Sequence, residues 1–274
     1  MCITGRDKIE SNEILVVSFG TTSPDSRLLN IDAVENTIRK AASDDYVVRR
    51  CFTSQTVINI IRRKEGVIID NVTEALDRAV LSGIRKIAVQ PTHLMNGIEF
   101  DKLERILSEY SSSFDKIALG DPLLTSDEDF RRVAEALIRA SAEYDDKSTA
   151  IVFMGHGTEA ESNSIYQKMQ DLFILMGQDN YYIGTVEAEP SVDSLIEAVK
   201  KGNYQRVVLR PLMLVAGNHA VNDMASADDP GSWYSRFSAL GYDTVCITEG
   251  LGQIPAVRAI YADHAKRAVE SLKR

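Results

Sequence analysis

Short runs of Val, Ile and Leu alternate along this chain with stretches whose apolar residues recur at helical spacing, the pattern of parallel strands joined by crossover helices. The runs predict strands at 14–19, 46–52, 86–90, 116–119, 150–154, 181–186, 206–210 and 244–247. Between them, Val72, Ala75, Leu76, Ala79 and Val80 form an i, i+3, i+4, i+7, i+8 stripe that suits one face of a sheet. A last helix is expected over 254–272. The fold class is α/β.

Four landmarks recur in the same order in the two halves. ILVVSFGTT at 14–22 matches AIVFMGHGT at 150–158, and DYVVRRCFTSQTVINII at 45–61 matches NYYIGTVEAEPSVDSLI at 180–196. KIAVQPTHLMNGIE at 86–99 matches RVVLRPLMLVAGNH at 206–219, and KIALGDPLL at 116–124 resembles TVCITEGLG at 244–252. The expected architecture is therefore a duplication, two similar doubly wound parallel-sheet domains over 1–146 and 147–274, with the boundary near 145–148. A cleft between the copies is expected, with ligands at the carboxyl ends of the strands.

On this repeated frame the polar residues are unequally placed. Phe19 in copy one becomes His156 in copy two, Phe52 becomes Glu187, and Glu99 becomes His219. Each lies at or just past the end of a predicted strand. Two imidazoles and a carboxylate form a common ligand set for Zn²⁺, Co²⁺, Ni²⁺ or Fe²⁺, so copy two is expected to hold the metal. The glycines of Gly155-His156-Gly157 suggest close approach of backbone to a ligand. Glu187 has a rival role as cap of the helix beginning near Ser191, for which Glu189 competes. His219 stands where a helix start would also suit a polar side chain, and His264 falls on the apolar stripe of the last helix, where a packed, hydrogen-bonded ring is expected.

In copy one, His93 occupies the loop equivalent to that of His219 and is expected to face the same cleft. Gly20-Thr21-Thr22 matches neither GxGxxG nor GxxxxGK[ST], which speaks against nucleotide binding. Arg49-Arg50 and Arg62-Arg63-Lys64 read first as solvated faces, with Arg49 and Arg50, near the predicted rim, as candidate partners for ligand carboxylates. Asp228 and Asp229 read as a polar surface turn ahead of a helix that starts near Trp233.

Composition narrows the class. With 274 residues, 44% hydrophobic and 26% charged, the chain is long enough for two modest cores, and no apolar run approaches the roughly 20 residues of a membrane helix. A net charge of −9 speaks against nucleic acid as a partner. Cys2, Cys51 and Cys246 show no CxxC spacing, so neither a disulfide framework nor a cysteine zinc cluster is expected. Residues 1–13 mix Arg6, Asp7, Lys8, Glu10 and Glu13 and do not read as a secretory signal; a cytoplasmic location is expected.

FMGHGT at 153–158, GTVE at 184–187 and PLMLVAGNHAVNDMA at 211–225 resemble the anaerobic cobalt chelatases, and VSFGTT at 17–22 with AVQPTHLMNGIEF at 88–100 resembles their amino-terminal half. The likeness covers nearly the whole chain. It implies a class II chelatase fold that inserts Co²⁺ into sirohydrochlorin without ATP, on the route to cobalamin. The family's metal-binding histidines fall on His156 and His219 and its acidic partner on Glu187, which makes these the expected catalytic and metal-binding residues. Asn218 departs from the aspartate that usually precedes the second histidine.

Gly20, Thr21, His93, Asn96 and Glu99 are the expected substrate contacts, with Leu94, Met95, Leu214 and Val215 covering the ring. The partners expected are sirohydrochlorin and a divalent metal, with no nucleic acid and no membrane; a homo-oligomer is compatible with the sequence. No cofactor is expected beyond the substrate metal, Co²⁺ first and otherwise Fe²⁺, Ni²⁺ or Zn²⁺. The same ligands would serve iron insertion, or a metal or tetrapyrrole carrier without turnover.

Overall fold

The strands appear within a residue or two of their expected places. The structure is a computed structural model that describes residues 12–274, so Cys2 lies outside the described residues. Strands β1 (Asn12–Ser18), β2 (Tyr46–Phe52), β3 (Lys86–Pro91) and β4 (Lys116–Leu119) form one parallel sheet in the order β2-β1-β3-β4. Strands β5 (Thr149–Gly155), β6 (Tyr181–Thr185), β7 (Arg206–Pro211) and β8 (Asp243–Cys246) repeat that order as β6-β5-β7-β8. Cys51 and Cys246 are free thiols. No helix among the described residues is long and apolar enough to cross a membrane.

Strand side chains alternate strictly between two layers. Ile14, Val16, Ala88, Ile151, Phe153 and Val208 face a core shared by both sheets. Leu15, Val17, Ile87 and Val89 face the outer helices of the first sheet, and Val152, Met154, Val207 and Leu209 those of the second. In the helix Val72–Leu81, capped by a reciprocal Asn71–Glu74 pair, Val72, Ala75, Leu76 and Ala79 are buried as expected. Val80, at the edge of the stripe, is partly exposed.

The registers test the duplication residue by residue. Asn12 pairs with Lys86 as Thr149 pairs with Arg206, and Gly20 and Gly157 both have positive φ, at 98° and 85°. Phe19 is thus the counterpart of His156, whereas matching 14–22 to 150–158 end to end would run one residue out of step. Thr92 N–H donates to Val17 O as Leu212 N–H does to Met154 O, which preserves the Glu99–His219 equivalence.

The Phe52–Glu187 equivalence fails. Phe52 pairs with Ser18, and the residue that pairs with Gly155 is Thr185. Thr53 alone separates Phe52 from the capping Ser54, but 186–190 separate Thr185 from the capping Ser191. Glu187 lies in this insertion and has no counterpart in copy one.

The division into 1–146 and 147–274 separates the two sheets, yet packing crosses it. The last helix, Pro255–Ser271, lies against β3, β4 and the helix Ala33–Ala41 of the first half. Arg210 on β7 donates to Ala140 O at the end of the helix Asp127–Ser141. His264 is fully buried at this junction, its ring nitrogens 3.0 Å from Asp121 O and 2.9 Å from Asp129 Oδ1, the packed role expected for it. Burial alone would raise the Asp129 carboxyl, but hydrogen bonds from Ser126 and His264 outweigh it and hold the group below its usual value.

Asp129 stabilises the fold above the unfolded carboxyl value of about 3.9, and that contribution disappears as pH falls through its lower folded value. Asp129→Asn is therefore expected to be less stable than the native protein at neutral pH, with the gap closing in acid, as read by urea unfolding across pH. His264→Leu is expected to cost about 1–3 kcal/mol at neutral pH, because it leaves buried Asp129 Oδ1 without the imidazole, Ser126 bonding only Oδ2.

Candidate metal centre

Three strands deliver the three candidate ligands to one rim. His156 follows β5, the strand at the centre of the group; Glu187 follows β6 on one side, and His219 follows the loop after β7 on the other. Their donor atoms all lie within 4.8 Å of one another. His156 Nδ1 is 3.5 Å from Glu187 Oε2, and the two imidazole rings meet edge to face with centroids 4.7 Å apart. Small side-chain rotations would bring all three to the roughly 2 Å of a metal–ligand bond.

Backbone geometry fixes this convergence. Val186 N–H donates to Gly155 O and Glu187 N–H to His156 O, so the β5–β6 pairing runs on past the strands and sets Glu187 beside His156. Thr185 Oγ1 donates to Ala188 O at 2.6 Å and closes the turn. The glycines flanking His156 give room to neighbouring protein. A Cβ on Gly155 would stand 2.2 Å from the Tyr166 ring, and one on Gly157 would stand 2.8 Å from Thr185 Cβ and 2.9 Å from Ala188 N. Tyr166 Oη in turn accepts from Gly157 N–H at 3.3 Å.

Glu187 is free for metal because the capping role falls elsewhere. Glu189 Oε2 accepts from Ser191 N–H and from Ser194 Oγ, and Ser191 Oγ accepts from Ser194 N–H. His219 opens a π-helical turn, His219–Met224, anchored by buried Ala220 and Met224. Its Nδ1 lies 2.5 Å from Asp223 Oδ2, a partner that sequence reasoning missed although the i, i+4 spacing was visible. The side chains of His156, Glu187 and His219 are 48%, 55% and 35% exposed, so the site is open to a large substrate.

The copy-one residues are less uniformly placed. His93 follows β3 with both ring nitrogens shielded from solvent and without a partner, and burial lowers its pKa against the opposing pull of Glu99. A Cβ on Gly97 would stand 3.4 Å from Ser162 Oγ, so the loop carrying His93 abuts the segment that follows His156. Asn96 is exposed, and Glu99 is half-buried in the first turn of the helix Ile98–Glu109. Gly20 is pressed against the Phe52 ring, and Thr21 Oγ1 accepts from Ser23 N–H, so both are engaged within copy one. Leu94, Met95, Leu214 and Val215 are half-buried against the cores.

Arg49 and Arg50 are engaged with carboxylates of copy one. Arg49 pairs with buried Glu13, and Arg50 with Glu35 and Asp32. Asp229 accepts from Gly231 N–H in the turn before the helix Trp233–Ala239, the structural role expected of it.

A family model described as Cobalt chelatase (CbiK) matches residues 12–270. A sirohydrochlorin cobaltochelatase of Salmonella typhimurium is 37% identical over 256 residues, 93% of this chain and 96% of that protein. The sirohydrochlorin cobaltochelatase CbiKC of Nitratidesulfovibrio vulgaris is 31% identical over 230 residues, 82% and 79% of the two chains. The solved structure of SirB from Bacillus subtilis with Fe³⁺ covers 96% of this chain and 98% of that one, with a TM-score of 0.66 and 15% identity, a likeness of fold.

Gly157→Ala is expected to push the 185–188 turn away from His156 and weaken Co²⁺ binding, at a backbone strain of about 1–3 kcal/mol. Titration of the protein with Co²⁺, followed by visible absorption, checks this; native affinity in the variant would refute the role given to the glycine.

Proposed function

Since the chain belongs to the cobalt chelatase family and is a metal chelatase, we propose that its reaction is the ATP-independent insertion of Co²⁺ into sirohydrochlorin. The observation that carries this reading is the convergence of His156, Glu187 and His219 on one exposed rim. Two imidazoles and one carboxylate hold a divalent cation without enclosing it, so the ion can be handed to a second set of donors. In the proposed reaction Co²⁺ is a substrate, and no resident cofactor takes part.

Insertion replaces two pyrrole N–H bonds by bonds to the metal, so two protons must leave the ring for each ion that enters. Imidazole and carboxylate groups suit that transfer near neutral pH. His156, Glu187 and His219 present the metal from copy two. His93, kept neutral by burial and with unpartnered ring nitrogens, is proposed as a proton acceptor on the copy-one side. Asn96 and Glu99 are proposed to meet the ring periphery, while Gly20 and Thr21 shape the rim from within copy one. Phe19, 55% exposed at the place that His156 holds in copy two, and exposed Val221 beside His219 offer apolar surface to a macrocycle.

A spectrophotometric insertion assay with sirohydrochlorin in excess over protein tests the proposal. Native protein is expected to metallate many rings per chain, and His156→Ala and His219→Ala to lose about 100-fold or more in rate, the scale of a positioned catalytic group. Saturation at one ring per chain would identify a carrier instead. His93→Gln is expected to lower kcat while leaving Co²⁺ affinity in the absence of sirohydrochlorin unchanged; an unaltered kcat would remove His93 from the reaction.

A further inference from the structure

The two histidines of the metal site are held differently. His156 Nδ1 lies 3.1 Å from the carbonyl of Gly157 and 3.5 Å from Glu187, itself one of the three candidate ligands, whereas His219 Nδ1 lies 2.5 Å from a carboxylate oxygen of Asp223, which stands outside that group. Asp223 sits one turn after His219 on the same π-helical segment, whose buried Ala220 and Met224 fix its orientation. The Asp223 side chain is 41% exposed.

We propose that Asp223 is a positioning residue for the metal: it accepts a hydrogen bond from Nδ1–H of His219, fixes that tautomer, and leaves Nε2 as the lone-pair donor aimed at the ion. This inference rests on the metal-site reading above and deepens it. A carboxylate behind a ligating imidazole raises its basicity and orients its ring.

Two measurements on the full-length protein test this. In ¹⁵N-labelled protein without metal, the His219 ring is expected to be the Nδ1–H tautomer, to shift toward Nε2–H in Asp223→Ala, and to stay Nδ1–H in Asp223→Asn, whose amide oxygen can accept the same bond. Titration with Co²⁺ alone is expected to show affinity reduced about 10–100-fold in Asp223→Ala, with Asp223→Asn intermediate. In the insertion assay the loss should appear as a raised KM for Co²⁺, with kcat changed far less. Native tautomer and native Co²⁺ affinity in Asp223→Ala would overturn the assignment. His219→Ala serves as the separate control: if it bound Co²⁺ as well as native protein, the metal-site reading itself would fail, whatever the Asp223 variants did.

Discussion

A parallel sheet points the carboxyl ends of all its strands the same way, and neighbouring strands run about 4.8 Å apart. Any polar groups placed just beyond β5, β6 and β7 are therefore neighbours, whatever their separation in sequence. His156, Glu187 and His219 use that constraint. The sheet brings the three chain segments together, and Gly155 and Gly157 let the strand end sit close enough to Tyr166 and the 185–188 turn for the donor atoms to meet. A side chain at either glycine would clash with these neighbours.

The duplicated frame explains how the rest of the molecule serves this site. In copy one the position of His156 is held by exposed Phe19, and the position opposite Gly155 in the neighbouring strand is filled by buried Phe52, packed with Ile31, Ile58 and Ile61. Copy one thus places apolar side chains where copy two carries the candidate ligand His156 and Thr185. The two copies share a core. The last helix lies across the first sheet, and Tyr261 on it donates to Thr92 O, next to His93. Ser26 Oγ, on the segment after β1, donates to Ala216 O, three residues before His219.

Most of the fold was legible in the sequence because strand burial writes itself as runs of Val and Ile, and because the repeat supplied an internal check. His156 and His219 were legible as departures from that repeat. Glu187 was reached by a faulty route. The sequence match set it on Phe52, and only the strand register reveals the inserted turn that carries it. The partners of Arg49 and Arg50 were not legible, because a pattern of charges does not say that Glu13, Glu35 and Asp32 lie within reach. The crossing of the last helix was invisible for a similar reason: its apolar stripe states that a face is buried, not which sheet buries it. Asp223 was visible only as one acid among many until the ring of His219 was placed.

The most direct test of the account is a crystal structure of the protein soaked with Co²⁺, with anomalous diffraction recorded at the cobalt edge. The account requires one strong anomalous peak bonded to His156, Glu187 and His219 at about 2.0–2.2 Å, with a coordination position open toward the cleft. A peak bound elsewhere, or bound by only one of the three side chains, would contradict it.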